Sequence, residues 1–588
     1  MSFGIEYFIK PNDPINHLIE VDLIIWQPQS IQQLQMPSWI PGSYMIRDFS
    51  KHITSMHAYE INEKHHLISP IQLQSIESNT WEIRTRKKPV LIRIKVYAFD
   101  ASVRAAFLDW ERCFYNHSSL CLQVFNQTQQ PCLVHLIEPP HLSGCEVASS
   151  LTPLTLKKRG FGTYQAESYD ELIDHPVSIG TFQKVTWRSF GIPHQMIFVG
   201  AVQNLDTERL EKDLHAITQA HIAFFEPSSH KSPFAKYLFH VCVSANAYGG
   251  LEHRSSTALI CKRRDLPYAN QHVDEPSYTD FLGLCSHEYF HAWNVKNIQP
   301  IAFQPYRLNE RNHTSLLWLF EGFTSYYDDL QLVRSQVISL ETYLERLSDA
   351  INRYLATTGR LKQSVAQSSF DAWTKYYLMD ENTPNAVVSY YVKGSLIALA
   401  LDLRIREFTA QTKSLDDVMR TLWQVHGSLD EAKQGIAENG FQDIIRLAIG
   451  ADFLTTWNAF EKRYIQGTED LPFTELFENH RYILEAQDLS KSALAEKRFG
   501  ARTVLSDHLL KVTQVLEGGS AGRGGVAAGD LLLCMNRERI TASNFHELLS
   551  HYSEEEITLH IFRQDLLYSL IIPKDHRMHT KWKIVPRV

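Results

Sequence analysis

The hydrophobic periodicity of this chain changes twice, and that pattern constrains its fold more than any other feature. Up to about residue 260 the apolar residues come in short, partly alternating runs, such as Leu18-Ile-Glu-Val-Asp-Leu-Ile-Ile-Trp26 and Val90-Leu-Ile-Arg-Ile-Lys-Val-Tyr-Ala98. These runs are rich in β-branched and aromatic residues and are punctuated by Pro, Asn and Gly, as strands are. One helix-like stretch, about Asp206 to Phe225, interrupts them. From about 276 to 480 the spacing turns helical. After a short polar junction near Asp488 to Lys497 the sequence returns to short strands around Gly-rich turns. A chain of 588 residues is too long for one hydrophobic core. The expectation is therefore a multidomain α+β protein with boundaries at 1–180, 181–485 and 490–588. The first domain should be a β-sandwich-like stack of antiparallel strands. Its one conspicuous loop, Trp39-Ile-Pro-Gly-Ser-Tyr44 followed by Arg47 and Asp48, reads as a Pro-Gly turn with a packed Trp, with a substrate-facing role as the alternative.

Charge and cysteine usage narrow the class. The net charge of −8 argues against nucleic acid or an anionic membrane surface as partner. The basic runs Arg84–Lys88 and Lys157–Arg159 are short and read as solvated turns. The N-terminal segment lacks a basic region followed by an apolar one, so no signal peptide is expected. No membrane span is expected either, because the best apolar run, Leu396 to Leu401, stops at Asp402. The eight cysteines show no C-x-x-C spacing and fit buried free thiols, so a cytoplasmic location is expected.

The chemistry is concentrated at His287-Glu288-Tyr-Phe-His291, an H-E-x-x-H motif. On a helix, positions i and i+4 share a face, so both imidazoles reach one ion. Glu288 sits about 100° round the helix and is placed for a water bound to that ion rather than for the ion itself. With 27 histidines in the chain the motif alone does not decide the matter; a third ligand does. Glu321 follows an apolar run in Leu316-Leu-Trp-Leu-Phe-Glu-Gly-Phe-Thr-Ser-Tyr-Tyr327. A carboxylate there costs several kcal/mol unless it is paired or bound to a cation. Its rival Glu310 lies in the polar stretch Arg307–Thr314, which gives no reason to bury it. Two histidines, a glutamate and water form a catalytic zinc set with one open position. Ser325, one turn after Glu321, is a candidate hydrogen-bond partner for a ligand.

H-E-x-x-H followed by W-x-x-E-G-F resembles the gluzincin aminopeptidases, and the long insert between the two motifs matches their glycyl aminopeptidase family. Other strings fit the same resemblance: Trp39-x-Pro-Gly-Ser-Tyr44, Gly249-Gly-Leu-Glu-His253, His287 through Lys296, Glu321 through Tyr327, and Ser389-Tyr-Tyr-Val-Lys-Gly394. The resemblance runs from end to end. It implies a β-rich N-terminal domain, a thermolysin-like catalytic domain of mixed sheet and helices, and a C-terminal PDZ domain. It further implies one Zn2+ per chain held by His287, His291 and Glu321, with Glu288 as general base. In the position of the gluzincin Gly-x-x-Glu motif, Glu252, with Gly249 and Gly250, would bind substrate and pair with its free α-ammonium. Tyr391 would donate a hydrogen bond to the developing oxyanion, an interaction worth about 3 kcal/mol, with Tyr390 beside it as the alternative. The substrates implied are peptides with a free N-terminus, Gly or Ala preferred. The PDZ match departs from the usual pattern at its carboxylate-binding loop, Arg498-Phe-Gly-Ala501, where the last position is normally a larger apolar residue. Capture of a peptide C-terminus by strand addition therefore stays open beside packing on the catalytic domain. Two other readings also stay open: a thermolysin-type endopeptidase, and a catalytically silent scaffold.

Overall fold

The computed structural model describes residues 4–200, 203–269, 273, 275–427, 434–552, 555–577 and 579–587. Residues 1–3, part of the N-terminal segment in which no signal peptide is expected, lie outside this set. The chain divides into two compact units: Met1–Asn312 with Tyr327–Ile338 and Met419–Ala437, and His313–Tyr326 with Ser339–Val418 and Glu438–Val588.

The first unit begins with a β-rich domain built on an eight-stranded sheet and two four-stranded sheets. Leu18–Ile25 lies in the large sheet between Ile5–Asp13 and Val90–Tyr97, with Ile5 and Val90 both opposite Ile25. Alternation sets the inner face: Ile5, Tyr7 and Ile9 are buried while the residues between them are half-exposed. The expected antiparallel stack has one exception here, because Ile5–Asp13 runs parallel to Cys132–Leu136. That pairing joins strands more than a hundred residues apart and leaves no local signal.

A five-stranded mixed sheet follows in the same unit. Its strands are β1 (Gln183–Ser189), β2 (Ile192–Val199), β3 (Tyr237–Ser244), β4 (Gly249–Glu252) and β5 (Ser256–Lys262), ordered β1-β2-β3-β5-β4. β3 is flanked by parallel neighbours and is almost wholly buried, as parallel strands covered on both faces are. β4 is an edge strand, antiparallel to β5 with Gly250 opposite Leu259 and Glu252 opposite Thr257. Helix α1 (Thr207–Phe225) starts where the Asp206 side chain accepts from the Arg209 N–H. Helix α2 (Glu275–Phe290) buries most of its residues. It is clasped by polar contacts within that interior: Ser286 Oγ to His221 Nε2 at 2.9 Å, and Tyr289 Oη to His194 Nε2 at 2.8 Å. Burial drives His221 to about 3 and His194 to about 4, so both remain neutral structural residues.

Helix α3 covers Leu317–Arg334. The rest of the second unit is mainly helical up to about residue 478. Ser339 and Ser389 cap helices α4 (Leu340–Leu355) and α5 (Tyr390–Phe408) by accepting from the Thr342 and Val392 N–H groups. The apolar composition of α5 reflects core packing. Its Asp402 is buried and satisfied by Tyr326 Oη, the Leu415 N–H and Arg406. α3 and α5 touch through Gly322 and Gly394, where a Cβ on either residue would lie 2.5–2.7 Å from the other's Cα. That contact seats Glu321 close to the start of α5.

The C-terminal part is a compact fold of its own within this unit. Ala501–Ser506, Leu509–Val515, Leu531–Met535, Ile557–Arg563 and Leu566–Ile572 form successive antiparallel neighbours in one sheet. They close with helices Lys491–Phe499 and Phe545–His551 over a core that includes Phe499, Val512, Leu532, Phe545 and Leu559. Asp530 of the Gly-Asp turn is fully buried, with Arg563 on both of its oxygens at 2.8 Å. The strand Lys581–Pro586 pairs with Tyr482–Gln487 and docks on α4, where Asn352 bridges to Trp582 and Ser348 accepts from the Ile584 N–H.

Candidate active site

α2 delivers the H-E-x-x-H residues from its last turn. His287 and Glu288 lie within the helix, and His291 stands one residue past its end, still bonded from its N–H to the His287 carbonyl. Each imidazole has its Nδ1 occupied. His287 Nδ1 meets Asp328 Oδ2 at 3.0 Å, and His291 Nδ1 meets the Asn294 carbonyl at 2.9 Å. The Nε2 atoms are thereby left facing each other 3.1 Å apart. Two imidazoles with Nδ1–H donated outward present two Nε2 lone pairs to one point, the arrangement a cation occupies. The turn that supplies the Asn294 carbonyl is strained: Val295, a β-branched residue, sits at φ 103°.

Asp328 is on α3 two turns after Glu321, so both carboxylates fall on one helix face. Glu321 is buried at 2% exposure, as its apolar setting requires. Among the described residues two groups could hold a metal ion, His287–His291–Glu321 and Glu252–Glu288–His291, each with ligand atoms within 4.8 Å of one another. The first has the composition of a catalytic zinc donor set, two imidazoles and one carboxylate. The second places Glu252 and Glu288 beside it. Burial pushes the Asp328 carboxyl up to about 6, although the His287 hydrogen bond pulls it the other way.

Glu288 and Glu252 are both nearly sealed, at 5% and 4% exposure. Glu288 lies flat on the Cα of Gly250, so closely that a Cβ there would overlap its Cγ, Cδ and Oε1. Arg104 holds this part of β4 by donating from Nη2 to the Gly250 carbonyl at 2.9 Å. Glu252 ends β4, and its carboxylate is stacked on Gly42 of the Trp39–Tyr44 loop, where a Cβ would fall 2.6–2.8 Å from its carboxyl atoms. Trp39 is fully buried and donates from Nε1 to the Arg307 carbonyl at 2.9 Å, so the packed-Trp reading of that loop holds. The loop also forms one side of the Glu252 environment.

At the start of α5, Tyr390 is fully buried and Tyr391 is half-exposed, with its Oη 3.3 Å from Tyr377 Oη. Burial, and after it the field of Glu321, raises the Tyr391 phenol well above its ordinary value. It stays a hydrogen-bond donor at any physiological pH. Sequence reasoning missed Asp328, which takes the His287 contact in place of Ser325. The signal available was the seven-residue spacing Glu321–Asp328, two turns along one face.

A zinc-type donor set at the end of a buried H-E-x-x-H helix defines a metallopeptidase, and similarity to known proteins agrees. Residues 280–397 match the M61 glycyl aminopeptidase model and residues 6–181 the Peptidase M61 N-terminal domain. A crystal structure of an aminopeptidase N family protein from Idiomarina loihiensis is 37% identical, with 99% of this chain and 98% of that one covered and a TM-score of 0.92. An M1 zinc metallopeptidase from Deinococcus radiodurans aligns over 80% of this chain and 96% of its own at 12% identity and TM-score 0.48. Yeast LTA4 hydrolase aligns over 80% and 68% at 12% and 0.47. No curated protein sequence matches. The chain belongs to the M61 glycyl aminopeptidase family. It is a hydrolase of peptide bonds, and its cofactor is Zn2+.

Proposed function

We propose that this zinc aminopeptidase removes single residues from peptides with a free N-terminus, preferring Gly or Ala, in a thermolysin-like catalytic domain at 181–485. The observation that carries the exopeptidase reading is Glu252. Its buried Oε1 has no hydrogen-bond partner, and its carboxylate stands within reach of both Glu288 and His291. A buried carboxylate with an open acceptor, that close to the reacting centre, suits an α-ammonium one residue from the scissile bond.

His287, His291 and Glu321 are the zinc ligands in this reading. When bound, zinc supplies polarisation of the scissile carbonyl and acidification of a water. Glu288 takes the water proton and returns it to the leaving amine. Tyr391 donates to the oxyanion; its partial exposure, against the complete burial of Tyr390, favours it over its neighbour. Gly249 and Gly250 line the substrate on edge strand β4. Asp328 acts through His287 by fixing its tautomer and ring orientation. Asp328→Ala should weaken zinc binding about 10- to 100-fold, read by competition against a graded chelator series, with activity recovered by added zinc. An unchanged competition curve would remove Asp328 from the metal centre.

The test of the exopeptidase assignment compares Gly-, Ala- and Leu-anilides with N-acetylated peptides. Glu252→Gln should raise KM for Gly-anilide roughly thirtyfold, the loss of about 2 kcal/mol from a charged hydrogen bond. Cleavage of acetylated peptides at rates matching the free ones would identify an endopeptidase instead.

The C-terminal fold at 490–588 is read as a PDZ domain able to take a peptide C-terminus. Support comes from its strand and helix order and from the Gly-Asp turn closed by Asp530 and Arg563. The N-terminal β-rich domain is read as 1–180. A cytoplasmic site of action fits the eight cysteines, all free thiols in this structure.

A further inference from the structure

A buried ion pair holds the chain segment that follows Glu252. Asp174, just past the short helix Tyr169–Ile173 of the N-terminal domain, is 6% exposed, and Lys296 of the turn after His291 is 4% exposed. Lys296 Nζ lies 2.6 Å from Asp174 Oδ1. The other Asp174 oxygen accepts from the Arg254 N–H at 2.8 Å, and His253 Nδ1 is 3.5 Å from Oδ1. One carboxylate therefore grips Lys296 and the two residues that immediately follow Glu252. Burial alone would push Asp174 up and Lys296 down. Lys296 holds Asp174 well below the ordinary carboxylate range, and Asp174, then Tyr306 and Glu252, hold Lys296 above the ordinary lysine range. Both groups are thus charged, and Lys296 feels two carboxylates.

Lys296 and the substrate amine are chemically alike. A lysine ammonium released beside Glu252 would satisfy the same open acceptor that the proposed function gives to the substrate. We propose that Asp174 is a positioning residue that keeps Lys296 off Glu252, so that the amine subsite stays vacant for substrate and its integrity depends on the N-terminal domain. This inference rests on the reading of Glu252 as the amine acceptor.

Four variants of the full zinc-loaded chain test it on Gly-anilide: Asp174→Asn, Lys296→Met, the double variant and Glu252→Gln. Removing one partner of a buried pair leaves the other charge to find a new one, so Asp174→Asn should raise KM roughly tenfold or more while kcat changes less than about threefold. Lys296→Met should keep the native KM, and adding it to Asp174→Asn should bring KM back toward native. That rescue is the readout a merely structural Asp174 would not give. A double variant as impaired as Asp174→Asn overturns the proposal, as does an Asp174→Asn variant with native KM. If Asp174→Asn does not fold, Lys296→Met decides alone: a KM raised about tenfold would mean that Lys296 itself serves the subsite. A native KM in Glu252→Gln would fell the underlying reading instead, whatever the other three variants show.

Discussion

Glu288→Gln is expected to keep its zinc and to lose about 10³-fold in kcat on Gly-anilide. Gln fills the same volume over Gly250, so the packing of β4 against α2 is undisturbed, but it cannot accept the water proton. Glu288 lies on the helix that presents both histidines, turned off their face by a single residue step, and it is almost sealed from solvent. Metal analysis beside kinetics gives the measurement its force. Native activity with full zinc would remove Glu288 as the base. Loss of zinc in parallel with activity would assign Glu288 to the metal, a possibility its grouping with Glu252 and His291 makes concrete.

The residues legible in the sequence were those whose chemistry conflicts with their surroundings. Glu321 was readable because a carboxylate after five apolar residues needs a cation, and it is buried as that logic demands. His287, Glu288 and His291 were readable because i, i+4 spacing is itself a geometric statement. Strands were readable where one face is buried, as at Ile5, Tyr7 and Ile9. Pairings made by tertiary folding were not readable. Asp174 and Lys296 are ordinary surface residue types whose burial together depends on two domains meeting. The parallel placement of Ile5–Asp13 beside Cys132–Leu136 is likewise a consequence of topology rather than of either segment's pattern. Gly42 and Gly250 occupy an intermediate position. Their motifs stood out as strings, and Gly42 also takes the positive φ of a turn glycine, but the carboxylate lying on each Cα needs the coordinates.

Gly250→Ala should cost kcat about 10²-fold or more with zinc retained, because a misplaced general base forfeits most of its contribution. A new methyl at Gly250 would overlap Glu288 from Cγ to Oε1, and neither backbone has room to retreat. β4 is fixed by its register with β5 and by Arg104 on the Gly250 carbonyl. α2 is fixed by Ser286 and Tyr289 against α1 and β2, and by Ser286 Oγ donating to the Asp328 carbonyl at 2.8 Å. The glutamate side chain is the flexible partner, so it must swing away from the position the water requires. Gly250 does not use a left-handed φ, so the loss cannot be charged to backbone strain in the alanine variant. His287 and His291 keep their Asp328 and Asn294 contacts, which is why zinc should remain. A double-mutant cycle with Glu288→Gln then separates two roles for Gly250. If it acts by giving Glu288 its place, the double variant should be no slower than Glu288→Gln alone. If instead it acts by letting the substrate backbone approach β4, the two losses should multiply, and the displacement argument would fall.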